Sequence, residues 1–190
     1  MTATRTSLLL AAAQVVRRSG GLKLTLEAVA HEAGVSKGGL LYHFPTKEAL
    51  VVGLIARELE SGEEVLTGLQ ATDDRLGPGR FARAYARLTL GGDPTLDVSA
   101  GLFAAVALNP ELLEPVRERS RDWQARAETD GLEPGLGTLL RLAMDGLWLA
   151  DLLNLAPPTG PERRQLEELV ARLTTQAQVA HSLQVAQEPA

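Results

Sequence analysis

Residues 25–47 read TLEAVAHEAGVSKGGLLYHFPTK, and this stretch decides the fold. Leu26, Val29, Ala30 and Ala33 fall at i, i+3, i+4 and i+7, the apolar stripe of a short helix, and Thr25 stands where its hydroxyl caps the first N–H groups. Gly34 ends that helix, since a residue without a Cβ tolerates the positive φ of a sharp turn; Val35 tucks under the turn and Ser36 caps the next helix. The second helix runs from Lys37 to about His43. It closes at Phe44 and Pro45, because the residue before a proline is pushed out of the α region, and Thr46 caps a third helix beginning at Lys47. Two short helices about a tight turn make a helix-turn-helix.

The side chains of the second helix are unevenly distributed. Leu40 and Phe44 are spaced to face a core, while Lys37, Gly38, Gly39, Tyr42 and His43 have no inward duty. A helix laid in a DNA major groove needs that asymmetry. Small residues near its start let the backbone approach base edges, a lysine donates to guanine O6 or N7, and a tyrosine ring touches a thymine methyl or reaches a phosphate. The caps and starts of the helices, Thr25, Ser36 and Lys47, add N–H groups, hydroxyls and an ammonium for the DNA backbone. The candidate DNA-binding set is therefore Thr25, Ser36, Lys37, Gly38, Gly39, Tyr42, His43 and Lys47.

These residues resemble the N-terminal DNA-binding domain of TetR-type (TetR/AcrR) transcriptional regulators, over roughly residues 5–55. The resemblance implies an all-α homodimer that binds a palindromic double-stranded DNA operator through this module and a small-molecule effector through a variable C-terminal domain. It departs from the family at one place. The phosphate-contacting tyrosine that members most often carry three residues before the phenylalanine is Leu41 here, and the aromatic is Tyr42, one residue later. The resemblance carries the phosphate role to Thr25, His43 and Lys47. Because Gly38 and Gly39 stand where other members often carry base-reading side chains, Lys37 and Tyr42 are left with most of the direct readout, and DNA shape with more of the rest.

Charge agrees with such a head. Residues 1–50 carry six Lys/Arg against three acids, about +3, which leaves about −8 on the remainder of a chain whose net charge is −5. A basic module on an acidic body gives a local footprint for phosphate. His31, on the first helix of the motif, is read as a solvated or capping side chain. The chain has no cysteine, which excludes disulfides and thiol chemistry, and its three histidines show no metal-ligand spacing. With no cofactor implied, no reactive constellation and no phosphate-cradling glycine loop, an enzyme is not expected. The alternative that stays open is a helical protein-interaction module that uses the helix-turn-helix only for packing.

At 190 residues, 45% of them hydrophobic, the chain is long enough for one or two small domains with a proper core. The apolar run after Arg5 imitates a signal peptide but is too short. Leu8, Leu9, Ala12, Val15 and Val16 continue a helical stripe up to Gly20 and Gly21, which reads as a first helix packed behind the motif. No segment has the roughly 20 apolar residues of a membrane span. A soluble cytoplasmic protein is expected, with no membrane partner.

The expected domains are a three-helix helix-turn-helix domain over 1–46, a helical-bundle ligand-binding and dimerisation domain over 47–185 with a linking helix at 47–69, and a disordered tail at 186–190. A loop is expected at 71–79, then a helix carrying Phe81, Ala84, Tyr85 and Leu88, another from about Leu96 to Leu108, and one opened by Asn109–Pro110 and running to about Thr129. Pro115 inside the last predicts a kink or a late start.

From Leu136 to Leu155 the sequence is apolar on nearly every side, so this helix needs two apolar neighbours. The helix after Pro157–Pro158 shows one apolar face. Doubled by a two-fold axis, the pair would make a four-helix interface through Leu139, Leu147, Leu166, Leu169, Val170, Leu173 and Ala177. The purely intramolecular alternative is that they only complete a core. Asp145 lies among leucines and must either meet a partner such as an arginine or line a cavity. The functional reading is an effector pocket of Tyr85, Phe103, Trp123, Asp145 and Trp148; the other is that these aromatics are core and Asp145 a structural contact.

Overall fold

The computed structural model describes residues 4–75, 77–92, 98, 102, 106 and 109–185, with the side chains of residues 22 and 176–185 left out. Eight α-helices are described: α1 (Arg5–Ser19), α2 (Leu26–Glu32), α3 (Lys37–His43), α4 (Lys47–Ala71), α5 (Arg80–Leu90), α6 (Glu114–Glu128), α7 (Leu136–Leu153) and α8 (Gly160–Val185). Short 3₁₀ turns lie at Gly21–Lys23 and Pro110–Leu113, and no strand occurs among the described residues. The protein is all-α.

The chain divides into two compact units: residues 1–61 with 94–119, and 62–93 with 120–190. The division falls within α4 and α6, whereas the sequence suggested a boundary at residue 46. The tail at 186–190 and most of the helix expected at 96–108 lie outside the described residues.

In the first unit, α1 begins with a reciprocal cap between Thr4 and Ser7 and buries Leu8, Leu9, Ala12, Val15 and Val16, as its stripe predicts. Arg18 on α1 pairs with Glu32 on α2 at 2.6 Å. The core continues through Val29, Leu40, Phe44, Leu50 and Leu54, and the described positions Val98, Leu102 and Val106, all helical, are buried in it. α2 ends as the sequence predicts. Gly34 takes φ +66°, its N–H reaches the His31 carbonyl and the Val35 N–H the Ala30 carbonyl, a double closure that turns the chain sharply into α3. Pro115 falls at the second position of α6, after the 3₁₀ turn capped by Asn109, so the late start is realised and a proline sits where no helical N–H is needed.

In the second unit, α5 is flanked by α7 and α8 and centres a core of Leu66, Phe81, Tyr85, Leu140, Met144, Leu147 and Val170. The carboxylate of Asp130 accepts the N–H groups of Phe81 and Ala82 at 2.8 and 2.9 Å, capping α5 from another segment. Arg83 and Asp73 form a buried pair at 2.8 Å, and the guanidinium also donates to the carbonyls of Arg75 and Pro78, so each of its three nitrogens has a partner. Gly137 lets α7 cross the end of α6 closely: an added Cβ would run directly into the Ala127 carbonyl oxygen.

Candidate nucleic-acid interface

α2 and α3 present their caps and charges on one exposed stretch of chain. The hydroxyl oxygen of Thr25 accepts the Ala28 N–H, that of Ser36 the Gly39 N–H and that of Thr46 the Ala49 N–H, each at 3.1 Å. All three are exposed, so each hydroxyl proton remains available to donate outward. Lys37, Gly38 and Gly39 are exposed in succession at the start of α3, while Leu40 behind them is buried. Tyr42 is 85% exposed, an unusual position for a large aromatic, and its ring stands edge-on to that of the half-buried His43, with centroids 5.1 Å apart. Lys47 is half-buried at the start of α4, and His31 is exposed.

The glycines of α3 answer to nothing inside the protein. A Cβ at Gly38 would come no closer than 4.0 Å to the Ser36 hydroxyl oxygen, and one at Gly39 would sit 3.4 Å from it, an ordinary contact. Both residues nevertheless lie within a helix, where glycine costs roughly 0.5–1 kcal/mol relative to alanine. Packing within the described residues gives no return for that cost.

Lys37 is engaged. Its Nζ lies 2.5 Å from Glu27 Oε1 on α2, and the contact with Lys37, aided by the Glu27 backbone N–H, holds the Glu27 carboxyl below its usual range. Sequence reading missed Glu27, which is ten residues from Lys37 and meets it only once the turn is closed.

Of the residues expected to line an effector pocket, Tyr85, Trp123 and Asp145 are brought together in the second unit. Tyr85 is buried; its hydroxyl donates to Asp145 Oδ1 at 2.5 Å, its ring stands edge-on to that of Trp123 at 5.3 Å, and it stacks with Phe81 at 5.5 Å. Burial, then the neighbouring Asp145 carboxylate, push the Tyr85 phenol well above its usual range, with Arg141 opposing. Of the two alternatives the sequence left open for Asp145, an arginine partner is present: Arg141, one helical turn earlier on α7, donates to Oδ2 at 2.6 Å and to Gln124 at 2.8 Å. The indole of Trp123 donates to Glu63 at 2.9 Å, and Glu63 also pairs with Arg126 at 2.7 Å. Trp148 is half-buried elsewhere along α7, and Phe103 lies outside the described residues.

The expected interface residues separate into two sets. Leu147 and Val170 are buried in the core of their own unit, Leu166 and Leu173 pack against it, and only Leu139 and Leu169 are exposed; the side chain of Ala177 lies outside those described. For Leu147 and Val170 the intramolecular alternative holds, because α7 turns one stripe, Leu140, Met144 and Leu147, towards α5. A second stripe on α7, Leu139, Leu142, Leu149 and Leu153, stays exposed, as do Leu155 and Leu169. Spaced by three, seven and four, the stripe follows one side of the helix, and an open groove beside Leu166 and Leu169 on α8 adds to the apolar surface.

Among the described residues no helix is long and apolar enough to cross a membrane. A family model described as the tetracyclin repressor-like C-terminal domain matches residues 79–175, and one described as bacterial regulatory proteins, tetR family, matches residues 8–54. The HTH-type transcriptional regulator RutR of Escherichia coli (strain K12) is 34% identical over 90 residues, 47% of this chain and 41% of that protein. The nucleoid occlusion factor SlmA of Marinomonas sp. (strain MWYL1) is 43% identical over 51 residues, 27% of this chain and 26% of that protein. The chain thus spans less than half the length of the curated relatives it matches. Its fold is similar to that of the multidrug binding protein EbrR complexed with imidazole, at 28% identity and a TM-score of 0.68 over 90% of this chain and 94% of that one. A TetR family member from Streptomyces coelicolor A3 (SCO1917) is 27% identical, with a TM-score of 0.71 over 90% of this chain and 97% of that one. The helix-turn-helix and both family matches lead to one conclusion: the chain belongs to the TetR family of DNA-binding transcriptional regulators.

Proposed function

We propose that this regulator is a homodimeric repressor that grips an inverted-repeat operator through α3 and is released when a small molecule binds in the second unit. The observation that carries the DNA reading is the exposed run Lys37–Gly38–Gly39 with Tyr42, on a helix whose other side is anchored by Leu40. Thr25, Ser36, His43 and Lys47 hold the phosphates; Lys37 and Tyr42 reach the base edges. The exposed leucine stripe of α7, with Leu169 of α8, supports pairing with a second copy, because a stripe of that length is not left in water by a monomer. Two heads on a two-fold axis read two half-sites about one DNA turn or more apart.

The effector site lies at Tyr85, Trp123 and Asp145. Solved structures of EbrR hold malachite green and ethidium, which supports an aromatic effector here as well. In this chain Asp145 is already engaged by Arg141 and Tyr85, so a ligand that takes Asp145 must displace one of them. Differential affinity of a few kcal/mol for a state with the heads wrongly spaced would lower operator affinity by one or two orders of magnitude.

Titration of duplex DNA at several salt concentrations tests the reading. Lys37→Ala is expected to cost about 1–3 kcal/mol on a selected operator and to relax base preference, while Lys47→Ala weakens every sequence alike and flattens the salt dependence. Equal loss on selected and random DNA for Lys37→Ala would remove the base-reading assignment, and salt-insensitive or absent binding by the wild-type chain would remove the whole proposal.

A further inference from the structure

Lys37 is the one lysine or arginine on α3, and with glycines after it the first turn of that helix offers one long donor. That donor is held by Glu27, with both side chains more than half exposed, 57% and 63%. A surface pair of this kind adds little to folding. The fold does not call on it either, since α2 is already capped by Thr25 and tied to α1 through Glu32 and Arg18. The consequence of the pair lies in what the ammonium can do next.

We propose that Glu27 is a specificity-determining residue, and that it and Lys37 together read one G·C base pair, the ammonium on guanine and the carboxylate on cytosine. This rests on α3 being the reading helix. In the major groove guanine offers only acceptors, N7 and O6, and the paired cytosine offers its N4 amino donor beside them. Lysine has only donors and an ionised glutamate only acceptors, so the pair matches that edge group for group. A lysine alone is a flexible point charge that takes a guanine on either strand, or a phosphate. With Glu27 beside it, a reversed C·G pair sets the carboxylate against guanine acceptors, and a phosphate sets it against another anion. Glu27 therefore fixes the orientation of the pair and subtracts from binding to random DNA, a repulsive element working for specificity.

The test is selection from a random duplex pool with the wild-type, Glu27→Ala, Glu27→Gln and Lys37→Ala chains, followed by titration of each on the wild-type-selected duplex and on a random duplex. The wild type is expected to select a half-site with one G·C pair in a single orientation, at a position that Lys37→Ala leaves unspecified. Glu27→Ala is expected to accept G·C and C·G there, to lower the ratio of selected to random affinity by about tenfold, and to steepen the salt slope by about 0.9, the value for one further phosphate contact. Glu27→Gln keeps the size and loses the charge, and is expected to bind random duplex more tightly in the same way even if the alanine variant fails to fold. Retention of the wild-type orientation and affinity ratio by both Glu27 variants, while Lys37→Ala frees the position, would overturn the role of Glu27 and leave the α3 reading standing. No change in the selected site with Lys37→Ala would overturn both.

Discussion

Replacing Gly38 with alanine separates folding from DNA binding, because the added methyl group meets nothing inside the protein. The Gly38→Ala chain is expected to be more stable by about 0.5–1 kcal/mol in urea unfolding, and to bind the operator more weakly if DNA comes close there. A stabilised variant with undiminished operator affinity would show that the glycine serves no contact. Tyr85 makes the complementary case in the second unit. Its neutral phenol is favoured by burial and by Asp145, so above about pH 10, where a phenol in the unfolded chain ionises, the folded chain keeps a proton that the unfolded one has lost. Stability must then fall as pH rises, by up to about 1.4 kcal/mol per pH unit, with no contribution to the slope below that range. Tyr85→Phe is expected to remove this component, seen as a flatter dependence of the urea midpoint between pH 9 and 11; an unchanged slope would mean that the phenol ionises freely in the fold.

α7 shows how far an element can be read before its neighbours are known. Its apolar character on nearly every side was legible, and so was the need for neighbours on two sides, but leucines stand in both stripes. Leu147 and Leu139 cannot be told apart by chemistry; only the position of α5 decides which is buried. The same limit applies to partners. Arg141 and Asp145 sit one turn apart and their pairing follows from helical spacing, whereas Tyr85 is sixty residues from Asp145 and Glu27 meets Lys37 only across the turn at Gly34. By contrast the caps at Thr25, Ser36 and Thr46 and the late start at Pro115 are local, so sequence sufficed for them. Gly137 is the tightest point of α7. Gly137→Ala drives a methyl group into the Ala127 backbone carbonyl, which no side-chain rotation relieves, and is expected to cost about 1–3 kcal/mol. An unchanged thermal midpoint would mean that the crossing of α6 and α7 yields easily.

At the scale of the molecule, the proposed dimer depends on a surface that the single chain leaves open. Leu139→Glu with Leu142→Glu places two charges on the exposed stripe without touching the buried one, so each chain is expected to fold and to sediment as a monomer. Operator binding should fall with it, since one head alone lacks the second half-site. A variant that still sediments as a dimer would move the interface elsewhere. The two walls of α7 have one further consequence. One holds its own unit together; if the other pairs with a second copy as proposed, chain stability becomes subject to mass action, so melting temperature is expected to rise with protein concentration, and in a cell the abundance of the regulator would help to set how much of it remains folded.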